Sequence, residues 1–250
     1  MNTRTRSTAG PAPVRLPATR ANRVALACLL AVPILMALAD ILRMVAEGDS
    51  RITGGAGAAP DMVPVFETLA AHRPVMAAAT ILVFLTAFVA MAAVGLLWRL
   101  GAAGSPWQAR TVLVLGIFFV LGRVVHTLVY FGAMLYFSST YPPAQAAALN
   151  DSFGSFWVVN MAIVPTVLGL ALWLPLTGAM LWRLHLVPWW AGLCIIAGTG
   201  VLVVLGSSFA TTIAMAALTV AGFVPLALRG RARRLPAAAA DAFGAGQATA

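Results

Sequence analysis

The chain has 250 residues, 61% of them apolar and only 9% charged, with a formal charge of +9 and a mean hydropathy of +0.93. A soluble domain carries about 45–50% apolar and about 25% charged residues, so this chain has too little charge to cover a water-facing surface, and lipid is the solvent for most of it. The positive balance does not point to nucleic acid: all 16 basic residues are Arg, and they gather at predicted helix ends and in the tails, not in a stripe interleaved with exposed aromatics.

Residues 1–22 hold Arg4, Arg6, Arg15, Arg20 and three prolines, which predicts a disordered basic tail. Residues 23–228 then read as an all-α transmembrane bundle of about six helices. The first span, residues 24–46, is apolar except for Asp40 and Arg43, and at about 1.5 Å per residue it crosses about 30 Å of hydrocarbon. The Arg-rich start and Ala37-Leu38-Ala39 also resemble a signal peptide with its cleavage site. The apolar residues Ile41, Leu42, Met44 and Val45 continue past that site, which favours an uncleaved anchor. Residues 47–65, with Gly54, Gly55, Gly57, Pro60 and Pro64, read as a loop, and residues 66–72 as a short amphipathic turn.

The second span covers residues 74–98 and the third 111–137, with a short loop at 99–110. A polar loop with Pro142, Pro143, Asn150 and Asp151 precedes the fourth span, 153–182, in which Pro165 and Pro175 predict kinks. The fifth span is 187–205 and the sixth 209–228, joined by a tight hairpin at Gly206-Ser207-Ser208. Residues 229–250 are Arg-rich and then Ala-rich, predicting a disordered cytoplasmic tail.

The arginines orient this bundle. With both termini cytoplasmic, Arg4, Arg6, Arg15, Arg20, Arg23, Arg99, Arg110, Arg183, Arg229, Arg231, Arg233 and Arg234 lie inside. Only Arg51 and Arg73 lie outside, and Arg43 and Arg123 fall within spans. That asymmetry, with an even number of spans, predicts a multi-pass protein of a bacterial cytoplasmic membrane. Trp98, Trp107, Trp182, Trp189 and Trp190 fall at the inner interface, as interfacial anchors do. Trp98-Arg99-Leu100 with Pro106-Trp107 echoes Trp182-Arg183-Leu184 with Pro188-Trp189. The echo reads either as two related hairpins or as the usual gathering of Trp, Arg and Pro in inner loops.

Ionisable residues inside a span are costly and face the bundle interior. Arg123 lies deep in the third span, with His126 and Tyr130 on the same helix face. Asp40 lies at similar depth in the first span and can neutralise Arg123 across a helix contact, leaving Arg43 to pair with Glu47. Asn160 enters at comparable depth, and Glu67 and His72 sit at the outer mouth. One outer-half polar cluster is therefore expected: Asp40, Arg43, Glu67, Arg123, His126, Tyr130 and Asn160. It reads as a pocket or pathway for a small polar or anionic ligand with Arg123 as charge anchor, or as a structural ion pair docking the first helix on the third.

Catalytic patterns are missing. There is no His-Glu-x-x-His, P-loop or dinucleotide fingerprint. His72, His126 and His185 are spread over both faces and suit no shared metal site. Cys28 and Cys194 lie in apolar stretches and form no disulfide framework. Ser207 and Ser208 read as turn residues. The fifth and sixth spans carry Ala210/Ala214 and Ala217/Ala221 at the small-x-x-x-small spacing of close helix contacts, within the chain or in a homo-oligomer.

Residues 169–203 read GLALWLPLTGAMLWRLHLVPWWAGLCIIAGTGVLV. Trp173, Leu174, Pro175, Leu176, Gly178, Arg183, Pro188, Gly192, Ala197, Gly198 and Gly200 resemble the C-terminal signature of the bacterial membrane family called domain of unknown function 4386. His185-Leu186 stands where that family has Gly-Phe. The long first outer loop and the His72-Arg73 pair opening the second span also look similar. The resemblance implies a membrane location and topology and carries no catalytic residue or cofactor. The expectation is thus a membrane protein that binds or moves a small molecule. The alternatives are a non-catalytic scaffold or accessory subunit of a partner protein, and after that an intramembrane enzyme.

Overall fold

The computed structural model describes residues 19–48 and 61–232. Of the tails expected at 1–22 and 229–250, residues 1–18 and 233–250 lie outside the described residues, as does the Gly- and Pro-rich stretch 49–60, while residues 20–22 and 229–232 are helical, as the first turn of α1 and the last of α9. The described chain is helical throughout: α1 Arg20–Ala46, α2 Val63–Ala71, α3 Arg73–Ala102, α4 Pro106–His126, α5 Ala133–Thr140, α6 Pro143–Ser155, α7 Trp157–Arg183, α8 Trp189–Leu205 and α9 Phe209–Ala232. A π-helical turn, Thr127–Gly132, joins α4 to α5 without a break.

Local chemistry sets these boundaries. The Thr19 hydroxyl accepts from the Asn22 amide at 3.3 Å and caps α1. Helices α2, α3, α4 and α6 each have proline in their first two positions, where the missing N–H has no helical partner to lose. At α9, Ser208 and Thr211 cap each other's amides at 2.8 and 3.2 Å, a reciprocal arrangement that ends the α8–α9 hairpin turn. Gly206 in that turn has φ +75°, the left-handed region that glycine enters without steric cost.

Four helices are long and apolar enough to cross a membrane: Arg20–Ala46, Arg73–Ala102, the continuous run Pro106–Thr140, and Phe209–Arg229. Two shorter apolar stretches, Val167–Arg183 and Trp189–Leu205, accompany them. α7 carries Pro165 and Pro175 within one helix.

Two expected loops are helical. The polar segment after the third span forms α6, where the Pro143 start and four alanines (Ala144, Ala146, Ala147 and Ala148) outweigh the turn cues of Asn150 and Asp151. The start expected for the fourth span, residues 153–155, belongs to α6. The first long loop contains α2, which begins at Val63. Similarly, the short loop expected at 99–110 shrinks to Ala103–Ser105, because α3 and α4 extend into it.

Six helices close a ring: α1 packs on α3, α3 on α4, α4 on α7, α7 on α8, α8 on α9, and α9 returns to α1. At the end holding Arg20 and Arg229, here the tail end, the ring is filled. Leu29, Leu97, Phe119, Trp173, Ile195 and Phe223, one from each helix, are fully buried in a single cluster. At the far end a second cluster joins Ala39 and Ala46 of α1 to Phe66 and Leu69 of α2, Met76 of α3, Met134 of α5 and Ala146 of α6. None of its described members comes from α7, α8 or α9.

Candidate functional site

Between the two clusters lies a cavity of about 340 Å³ to which all six ring helices contribute. Met36, Asp40 and Arg43 line it from α1, Val83 from α3, and Arg123 and His126 from α4. Tyr130 and Phe131 come from the π turn, Val167 and Leu170 from α7, Leu202 from α8 and Met215 from α9, while Ser207 closes it at the hairpin. The consecutive Tyr130 and Phe131 both reach the cavity where the helix widens. Such π turns recur at functional sites.

One side of the cavity is a saturated ionic network. Asp40, Arg43 and Glu47 follow at i, i+3 and i+7, so they share one face of α1. Arg43 Nε donates to Asp40 Oδ1 at 2.9 Å, and Nη1 donates to Glu47 Oε2 at 2.6 Å. Tyr130 Oη donates to Glu47 Oε1 at 2.9 Å, tying the π turn to α1. Asp40 Oδ2 accepts from Ser207 Oγ at 2.7 Å and from Thr212 Oγ1 at 3.1 Å, tying α1 to the hairpin and α9. Glu47 is only 1% exposed. A carboxylate so placed is tolerated because Arg43 and Tyr130 both bond it, and charge-assisted bonds of this kind are about twice as strong as neutral ones.

Arg123 faces the same space and lies outside that network. Its Nε is buried without a hydrogen-bond partner, and among the described residues it makes no ion pair. One turn on, the His126 ring stacks on Tyr130 with centroids 5.2 Å apart and planes 8° from parallel. Its edge-to-face contact with Phe131 is at 5.5 Å. His126 Nδ1 is also buried without a partner. The hydroxyl of Thr127 satisfies the Arg123 carbonyl at 2.7 Å, so the backbone here is settled while two side-chain nitrogens are not.

Of the seven expected cluster residues, Asp40, Arg43, Arg123, His126 and Tyr130 meet at this cavity. Glu67 does not: α2 turns Val65, Phe66 and Leu69 inward and leaves Glu67 exposed. The Asn160 backbone lies in α7, and its side chain lies outside the described residues. The expected Asp40–Arg123 pair is replaced by Asp40–Arg43, because a partner one turn away on the same helix needs no helix-to-helix approach. Ser207 and Thr212 are the participants not expected from sequence; as hydroxyls at a hairpin they read as turn chemistry, and only folding brings them to Asp40.

No protein-family model, curated protein or solved structure matches the chain.

Proposed function

We propose that this chain is a six-span protein of a bacterial cytoplasmic membrane, with both tails cytoplasmic, that binds or moves a small polar or anionic molecule through the central cavity. Arg123 is its charge anchor. The observation that carries this reading is the contrast between two arginines on one cavity wall. Arg43 is bonded to two carboxylates, whereas Arg123 has no counter-charge in bonding range among the described residues. An intramembrane arginine without a protein partner is expensive, and an anionic ligand supplies the missing partner.

The six-span topology adds α7 and α8 to the four long apolar helices. α8, at 17 residues, spans about 25 Å, within what local thinning accommodates. Orientation rests on the arginine bias of twelve inside against two outside. Membership of the domain of unknown function 4386 family, proposed on residues 169–203, fits this topology and adds no activity. The ion network supports a second role for part of the cluster: Asp40, Arg43, Glu47 and Tyr130 dock α1 onto the π turn, while Arg123 and His126 remain for a ligand.

The test is thermal unfolding of the purified protein against a panel from acetate and inorganic phosphate to alkyl carboxylates and alkyl phosphates. At least one anion is expected to raise the Tm of the wild type and none that of Arg123→Leu. A panel without any Arg123-dependent shift overturns the ligand reading. A stoichiometric partner protein co-purifying instead supports the scaffold alternative. Orientation is checked by labelling single cysteines in intact cells with an impermeant thiol reagent; reactive tails and an unreactive residue 61 would reverse it.

A further inference from the structure

The wall of the cavity is uneven. Its charged and hydroxyl groups come from α1, α4, the π turn and the hairpin, while the described residues of α7 and α8 that line it are Val167, Leu170 and Leu202. Near the tail end α7 and α8 touch backbone to backbone: a Cβ added to Gly178 would sit 2.7 Å from the Gly192 carbonyl oxygen. From there α8 buries a regular helical stripe of Ala191, Gly192, Ile195, Gly198 and Thr199.

The stripe then ends. Val203, Val204 and Leu205 are 59%, 79% and 68% exposed. Three consecutive residues sweep about 200° of a helix with 3.6 residues per turn, so a single lipid-facing side cannot account for them. The last turn of α8 stands clear of its neighbours over more than half its girth. Opposite it, Val167 both lines the cavity and is 56% exposed. The described residues on this side, Val167 and the last turn of α8, give the cavity an apolar opening toward the outside of the ring between α7 and α8. On the opposite side, α2 and α6 cover α1, α3 and α5 with Phe66, Leu69 and Ala146.

We infer that the ligand is an amphipathic anion, a single carboxylate or phosphate head on an alkyl tail, that reaches Arg123 laterally from the bilayer through the α7–α8 slot. This rests on the reading of Arg123 as an anion anchor. The head meets the Arg123 guanidinium and the unpartnered His126 nitrogen, and the tail runs out along Val167, Leu170 and Leu202. A free space of about 340 Å³ lies at the small end of ligand pockets, about 300–1,000 Å³. It holds a head and the first carbons, and the rest of the tail stays in the slot and the surrounding lipid. A head carrying its own cation is disfavoured, because Arg43 already occupies both Asp40 and Glu47.

The experiment compares decyl phosphate, inorganic phosphate and decanol on the full chain in nanodiscs of neutral phosphatidylcholine, read by Tm and by binding rate. Decyl phosphate at about a hundredfold excess over its Kd is expected to raise Tm by roughly 5 °C, while inorganic phosphate and decanol leave it unchanged. Arg123→Leu weakens decyl phosphate by at least about tenfold, and Arg123→Lys retains part of the response. Val167→Trp and Leu202→Trp, two independent ways of narrowing the slot, slow its binding in variants that remain folded. If inorganic phosphate shifts Tm as strongly as decyl phosphate and Arg123→Leu abolishes both, the anion site stands and the amphiphile is overturned. Decanol matching decyl phosphate, or no response to any probe, overturns both readings. Unchanged binding rates in folded slot variants overturn the lateral route.

Discussion

At the tail end, six helices each send one large apolar side chain into a common centre; further along, short of the far-end cluster, the same helices enclose a cavity holding two arginines. The covalent frame is shared, so the difference lies in which side chains face inward. Leu29 of α1 faces Trp173, Phe119 and Phe223 in one cluster, whereas Asp40 and Arg43, further along the same helix, face Arg123, His126 and Leu202 around empty space. Lipid tails are as apolar as leucine, so the packed end is held by dispersion and close fit. Around the cavity the helices are joined by a few directed bonds, with the second apolar cluster beyond them. The two regions should therefore fail in different ways.

The largest effect is expected at the packed end. Trp173 is fully buried and stacks on Phe119 with centroids 4.9 Å apart. Trp173→Ala leaves a void where all six helices meet and should cost about 4 kcal/mol in equilibrium unfolding in mild detergent. The indole Nε1 has no hydrogen-bond partner, so Trp173→Phe should recover most of that loss. A phenylalanine variant as unstable as the alanine one would mean that the indole N–H matters and that the end is not held by packing alone.

Arg43→Leu probes the cavity region and should cost about 3 kcal/mol, because it strands two carboxylates that now share one guanidinium. Neutralising them as well, in Asp40→Asn/Glu47→Gln/Arg43→Leu, should restore much of the stability. Failure of the triple variant to recover would show that Arg43 acts through packing of its stem instead of through charge. The same unfolding measurement reads both variants.

Sequence and structure part company along the same line that divides the two regions. Charged residues within apolar helices are legible because lipid forbids them a solvent, so Asp40, Arg43 and Arg123 could be placed facing inward from their positions alone. Their partners were less legible. A bond between Asp40 and Ser207 spans 167 residues, and nothing local distinguishes a hydroxyl that caps a turn from one that also reaches a carboxylate. Glu67 misled for the opposite reason: α2 is short and amphipathic, and an acid near a helix mouth faces water as readily as a pocket. The fold-level misses, α2 and α6, are short covering helices whose polar faces resemble loops when read against the long apolar spans.

The smallest effect on stability is expected at Arg123, and it sharpens the comparison most. Arg43 and Arg123 look alike in sequence, each an arginine within an apolar span, and they line one cavity. Removing Arg43 leaves charges behind; removing Arg123 leaves none, since it makes no ion pair among the described residues and its Nε bonds to nothing. Arg123→Leu should thus change ligand-free stability by less than about 1 kcal/mol, or raise it, because an uncompensated cation at membrane depth is itself a cost. The two leucine variants measured side by side decide what each arginine is for. Equal losses would make Arg123 a second structural tie and leave the cavity without an anchor. A large loss at Arg43 beside none at Arg123 would mean that the fold carries Arg123 without profiting from it, which is the energetic mark of a group kept for something that binds.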